Sequence, residues 1–147
     1  MKALLRIFLC ATSFIWIGCE QTVDPFDVYV PTPKDLLTSG TWRSQSVTSS
    51  PSGIGPCERD NLFTFHANGN LTIDQGVQKC NSADPQTFSA TWSMNSANTE
   101  ITVNGWTWVD PTNIWIVDLL NETNFTAHIY FSSGGTIYTV TYVLVRD

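Results

Sequence analysis

Trp106 and Trp108 are the residues whose type and spacing point most directly to binding chemistry. Two positions apart, they share one face of an extended chain. They stand between Gly105 and Asp110-Pro111, and two indoles on one surface can stack on a sugar ring or another flat apolar molecule. Trp115 is a third candidate, with Ile114 and Ile116 on the opposite face. Tyr130, Tyr138 and Tyr142 carry hydroxyls that would meet a ligand's polar end if they point inward. The competing role for all of these rings is to fill a core.

Catalytic chemistry finds less support. A nucleophilic mechanism needs a base beside a Ser or Cys, oriented by a third group. His66 ends a hairpin strand and His128 alternates with Thr126 and Tyr130, and neither has such neighbours in the spacing. Asp110, Asp118 and Glu122 are not spaced as an acid–base pair. Gly53-Ile54-Gly55 lacks the strand-then-helix context of a phosphate loop. The expectation is a chain with no catalytic residue, no metal and no cofactor, and hence not an enzyme.

The N-terminus carries a different chemistry. Lys2 and Arg6 precede an apolar run, Ile7 to Ile17, followed by Gly18-Cys19. Eleven residues are too few to cross a bilayer as a helix, which takes about 20. A basic start, a short apolar core and a small residue before a cut site read as a secretory signal. Ending on Gly-Cys is how bacterial lipoprotein signals end, where the thiol takes a diacylglycerol and becomes the first residue. Ile17 and Gly18 match that pattern, whereas Trp16 stands where Leu, Val or Ile is usual. An ordinary secretory signal is the alternative. The expected organisation is a signal peptide over 1–18, a lipidated tether over 19–34 broken by Pro25, Pro31 and Pro33, and one domain over 35–147. The expected address is the bacterial cell envelope, on a membrane and most simply the outer one.

Removing residues 1–18 leaves 129, enough for one core. It also removes two positive charges and takes the formal balance from −6 to −8. The basic residues that remain, Lys34, Arg43, Arg59, Lys79 and Arg146, are scattered, so nucleic acid is excluded as a partner. Cys57 and Cys80 would lie in an oxidising compartment, where a disulfide is the first reading and a metal site, lacking a paired histidine, the second.

After Pro33-Lys34-Asp35-Leu36-Leu37, which suits one helical turn, the chain reads as short strands divided by turns. They run over 41–48, 61–66, 71–75, 86–94, 100–104, 106–109, 113–120, 125–131 and 136–145. Phe88, Ala90, Trp92 and Met94 alternate cleanly with Ser89, Thr91 and Ser93. In the first hairpin, a three-residue loop Ala67-Asn68-Gly69 pairs Phe65 with Leu71 and Phe63 with Ile73. That register puts all four apolar side chains on one face, which a two-residue turn would not. Extended outward, it brings Cys57 and Cys80 almost opposite each other. Eight or nine such strands must form a sandwich or close into a barrel. Closure would remove the exposed edge of the long last strand.

Particular residues resemble a known family. Gly40-Thr41-Trp42, after a helical turn and opening the first strand, resembles the Gly-x-Trp signature of the lipocalins. Cys57-Glu58-Arg59-Asp60 before Phe63-Thr64-Phe65, Asn68-Gly69, Lys79-Cys80, Ala90-Thr91-Trp92 and Ile116-Val117-Asp118-Leu119 extend the likeness. The pattern is similar to small lipocalin-like lipoproteins of bacteria, over 36–146. The resemblance implies an all-β, single antiparallel up-and-down barrel of about eight strands with a short N-terminal helical turn. It also implies that Trp42 seals the closed end under Arg146. The function expected is binding of a small apolar or amphipathic ligand in the barrel, with Trp106, Trp108, Trp115, Tyr130 and Tyr138 as candidate contacts. The rival is an interaction module with a filled barrel, whose loops meet a protein or glycan.

Overall fold

The computed structural model of the chain describes residues 29–51, 56–106 and 113–147. The first described element is the helix α1 (Pro33–Thr38), which begins two residues before the expected domain boundary. Its start is a reciprocal cap: the Thr32 hydroxyl accepts the Asp35 N–H, and the Asp35 carboxylate accepts the Thr32 N–H at 2.9 Å. Pro33 at the first helical position needs no hydrogen-bond acceptor. Eight strands follow: β1 (Thr41–Ser50), β2 (Leu62–Phe65), β3 (Asn70–Asp74), β4 (Thr87–Met94), β5 (Glu100–Asn104), β6 (Ile114–Leu120), β7 (Asn124–Ser133) and β8 (Thr136–Arg146). A short 3-10 helix, Pro56–Glu58, stands between β1 and β2.

Each strand pairs antiparallel with its neighbours in sequence, and β1 pairs with β8, so the sheet is a closed barrel. β8 therefore presents no free edge for another chain to extend. The first hairpin has the register that buries its apolar residues, Phe65 opposite Leu71 and Phe63 opposite Ile73. Gly69 makes this turn at φ +86°, a conformation that costs a residue without Cβ little. The strand expected over 106–109 lies mostly outside the described residues, which exclude 107–109; Trp106 itself lies beyond the end of β5 and in no strand.

Alternation fills the inside. Phe63, Phe65, Leu71, Ile73, Ala90, Trp92, Ile101 and Val103 all point into the barrel from β2 to β5. Two β-bulges adjust the phase. One between Ser44 and Ser46 lets Val47 share the interior with Trp42, and one between Val117 and Leu119 lets Leu120 follow Trp115 inward. The interior is strongly aromatic, with Trp115 stacked on Tyr142 at 4.9 Å between centroids and Phe63 edge-on to both.

One end of the barrel is sealed by α1. Trp42 is fully buried and its indole N–H donates to the Leu37 carbonyl at 2.9 Å. Arg146 is directly across the β1–β8 ladder from Trp42, so both side chains leave the same face. The guanidinium carbon lies 4.6 Å from the indole centroid, while its nitrogens donate to the Leu36 carbonyl and the Ser39 hydroxyl. Leu37 closes the space beneath.

Candidate ligand site at the open end of the barrel

The opposite end is built from the 3-10 helix, the start of β2, the end of β3 and Trp106, two residues past β5. Cys57 and Cys80 are joined in a disulfide with their α-carbons 5.0 Å apart. The bridge holds the 3-10 helix against the connection leaving β3, and the next residue, Glu58, is turned into the barrel. Asp60 secures the same connection from below, its carboxylate accepting the Val77 and Gln78 N–H groups at 2.6 and 3.1 Å. Gly76 packs so closely on Asp60 that a Cβ would fall 2.5 Å from it.

Glu58 accepts a hydrogen bond from the Tyr142 hydroxyl at 3.0 Å. Burial pushes its carboxyl above the ordinary range, and the Tyr142 bond offsets part of that rise. Tyr142, fully enclosed, is pushed well above its ordinary range, first by burial and then by the neighbouring Glu58 charge. Asn61 is 5% exposed, and its carboxamide oxygen has no hydrogen-bond partner among the described residues. Glu58 and Asn61 border a void of about 10 Å³ together with Gln75, Phe88, Ile73 and Trp106. A second void of about 10 Å³ lies between Trp106, Trp115, Val103 and Ile129. The Trp106 indole separates the two.

The candidate contacts divide accordingly. Trp106 and Trp115 are buried, 5.7 Å apart between ring centroids, so their faces meet core residues and not solvent. Tyr138 is half-buried at the mouth and stacks on Phe131 at 4.8 Å. Tyr130 is a correction. It falls on the alternate face of β7, lies outside the barrel at 45% exposure and packs edge-on to His128. Trp108 and Cys19 lie outside the described residues. Sequence reasoning passed over Glu58 and Asn61 as site residues. Their signal was adjacency to Cys57 and to the base of the hairpin that the cysteines bracket.

The histidines make local contacts: His66 Nε2 is 3.1 Å from the Thr72 hydroxyl, and His128 Nδ1 is 2.8 Å from the Asp118 carboxylate. Among the described residues no three His, Cys, Asp or Glu side chains are grouped as metal ligands. A larger hollow, about 670 Å³, lies on the outer face between β3, β4 and β5. It is wide open and walled by short polar side chains such as Thr72, Ser89 and Thr91.

Solved structures share this architecture. Bovine odorant binding protein in complex with its natural ligand superposes with a TM-score of 0.53 at 14% identity, over 82% of this chain and 76% of that one. The same bovine protein with a selenium-containing odorant gives 0.50 at 15% identity, with the same coverage. The fold is lipocalin-like. At this identity the likeness concerns the lipocalin-like barrel itself and carries no residue roles. No family model matches the sequence, and no curated protein matches it either.

Proposed function

We propose that this chain is an exported, lipid-tethered binding protein of the bacterial cell envelope, which takes a small amphipathic molecule into the open half of its lipocalin-like barrel. The observation that carries the reading is the position of Trp106. It comes from beyond the end of β5 and not from a strand of the wall, and it fills the space between two voids. Without its indole those voids become one cavity, floored by Trp115 and Phe63 and bordered by Glu58 and Asn61. A mostly apolar cleft with a few convergent polar groups is the usual form of a small-molecule site. The ligand takes the place of the indole, and its buried area compensates for the ring's exposure. Cys19, through its diacylglycerol, keeps the barrel at the membrane across a proline-broken tether.

The test is titration of the protein with octan-1-ol, read by tryptophan emission, alongside Trp106→Ala. Saturable binding to the native chain, tighter in the variant, is the expected result. No saturable change in either overturns the reading. Cys19→Ala is expected to release the protein from membranes, and retention would overturn the tether.

A second reading has its own support. Two voids of about 10 Å³ each hold little more than a water apiece, so little room is left between these described side chains. A filled barrel suits a non-enzymatic interaction module whose loops meet a protein or glycan. Failure of octanol to bind would favour it.

A further inference from the structure

Among the described residues Glu58 has no cation of its own and makes no ion pair. Each basic side chain of the domain is placed elsewhere. Arg43 pairs with Asp147, and Lys34 lies over the Trp92 ring. Lys79 donates to the Ser82 and Asp84 carbonyls, and Arg146 covers Trp42. Arg59 is exposed. Beside Glu58 the unpartnered Asn61 oxygen offers a second acceptor, 95% enclosed, and no donor of this chain answers it among the described residues. Glu58, which carries a carboxylate, and Asn61, whose carboxamide oxygen is unpartnered, both line one void. The rings bordering it, Phe88 and Trp106, are also suited to positive charge, and Trp106 packs in turn on Phe63 and Tyr142, 5.6 and 6.1 Å between centroids. Aromatic faces attract cations through their quadrupole.

We infer that the open end of the barrel is a site for a primary ammonium group on an apolar tail, held by the Glu58 carboxylate and the Asn61 carboxamide oxygen. This rests on the ligand-binding reading above and names the chemical class of its ligand. An ammonium group is about the size of a water, so the head fits the existing void of about 10 Å³. The tail lies where the Trp106 indole now sits. Three N–H donors meet Glu58, Asn61 and the flanking rings, which a hydroxyl with one donor cannot do. Glu58 is already partly withdrawn from water in the folded chain, so an arriving cation gains an ion pair with less new desolvation of its partner. A carboxylate ligand would meet like charge and is excluded.

The experiment compares octylamine, octan-1-ol and octanoate at neutral pH, all read by tryptophan emission. The expected result is octylamine at least tenfold tighter than octanol, with octanoate the weakest. Glu58→Gln is expected to bring the amine-to-alcohol ratio to about one, and Glu100→Gln, on an exposed residue at the far end of β5, to keep it. Equal binding of amine and alcohol by the native chain, or a preference that survives Glu58→Gln, overturns the ammonium site while leaving ligand binding in place. Absence of binding by all three overturns both.

Discussion

At the closed end of the barrel, Trp42, Leu37 and Arg146 lock together: the indole N–H reaches a carbonyl, and the guanidinium covers the ring while donating to the helix end. At the open end, among the described residues, half-buried Glu58 and buried Asn61 have no cation, and Trp106 enters from outside the strands to divide two small voids. Both ends bury a tryptophan, yet in one the ring is a strand residue bonded into the frame and in the other it is an insert. A polar group left without a partner inside a protein costs stability, typically about 1–3 kcal/mol. The Asn61 oxygen is such a group at the mouth, beside a tryptophan that no strand holds, and this separates the end that anchors the fold from the end suited to a ligand.

The sharpest way to break this comparison is to truncate each tryptophan. Trp42→Ala is expected to cost about 3–5 kcal/mol in denaturant unfolding, and Trp106→Ala clearly less, because its ring already borders unfilled space. Equal losses would make Trp106 as much a part of the frame as Trp42. Replacing Cys57 and Cys80 together by Ser is expected to lower stability by about 3 kcal/mol, from a bridge spanning 23 positions. The same change should also weaken octanol binding, since the bridge positions Glu58; a loss of stability with unchanged binding would separate the two roles.

Arg146→Leu is expected to cost about 1–2 kcal/mol, from the ring contact and the hydrogen bonds to the helix end. It should leave octanol binding at the far end unaltered, and a change there would couple the two ends. The smallest effect concerns pH. Burial raises the Glu58 carboxyl above its ordinary 4.5, so the folded chain holds that proton more tightly than the unfolded one. Its favourable contribution is full below about pH 4.5 and is lost as pH rises through the folded value. Melting temperature should therefore fall with rising pH in this window, and Glu58→Gln should flatten the slope. Asp35 works in the opposite sense: hydrogen bonds from Thr32 and Tyr29 hold it below its ordinary range, so its contribution is lost as pH falls.

Much of the frame was legible in the amino-acid order. Alternation in 86–94 and the hairpin at Ala67-Asn68-Gly69 gave faces and register, because a one-residue slip would have turned Phe63 and Phe65 away from Leu71 and Ile73. The facing of Cys57 and Cys80 followed from that register alone. The two bulges were not legible, since a skipped residue in 44–46 or 117–119 leaves no compositional mark. Barrel over sandwich came from the Gly40-Thr41-Trp42 resemblance, as strand periodicity is the same in both. The mouth was read least well. Tyr130 looked like a ligand contact by type, but parity on β7 turns it outward. Glu58 showed no periodicity at all, being turned inward by a disulfide and a 3-10 helix and not by a strand's alternation.

Native mass spectrometry of the protein purified from its own host tests the central claim most directly. The account predicts a co-purifying molecule of small mass that dissociates on unfolding and carries a basic nitrogen on an apolar skeleton. A bare polypeptide mass from the host, with a Trp106→Ala variant that also takes up nothing, would contradict it and leave a filled barrel whose work is done on its outside.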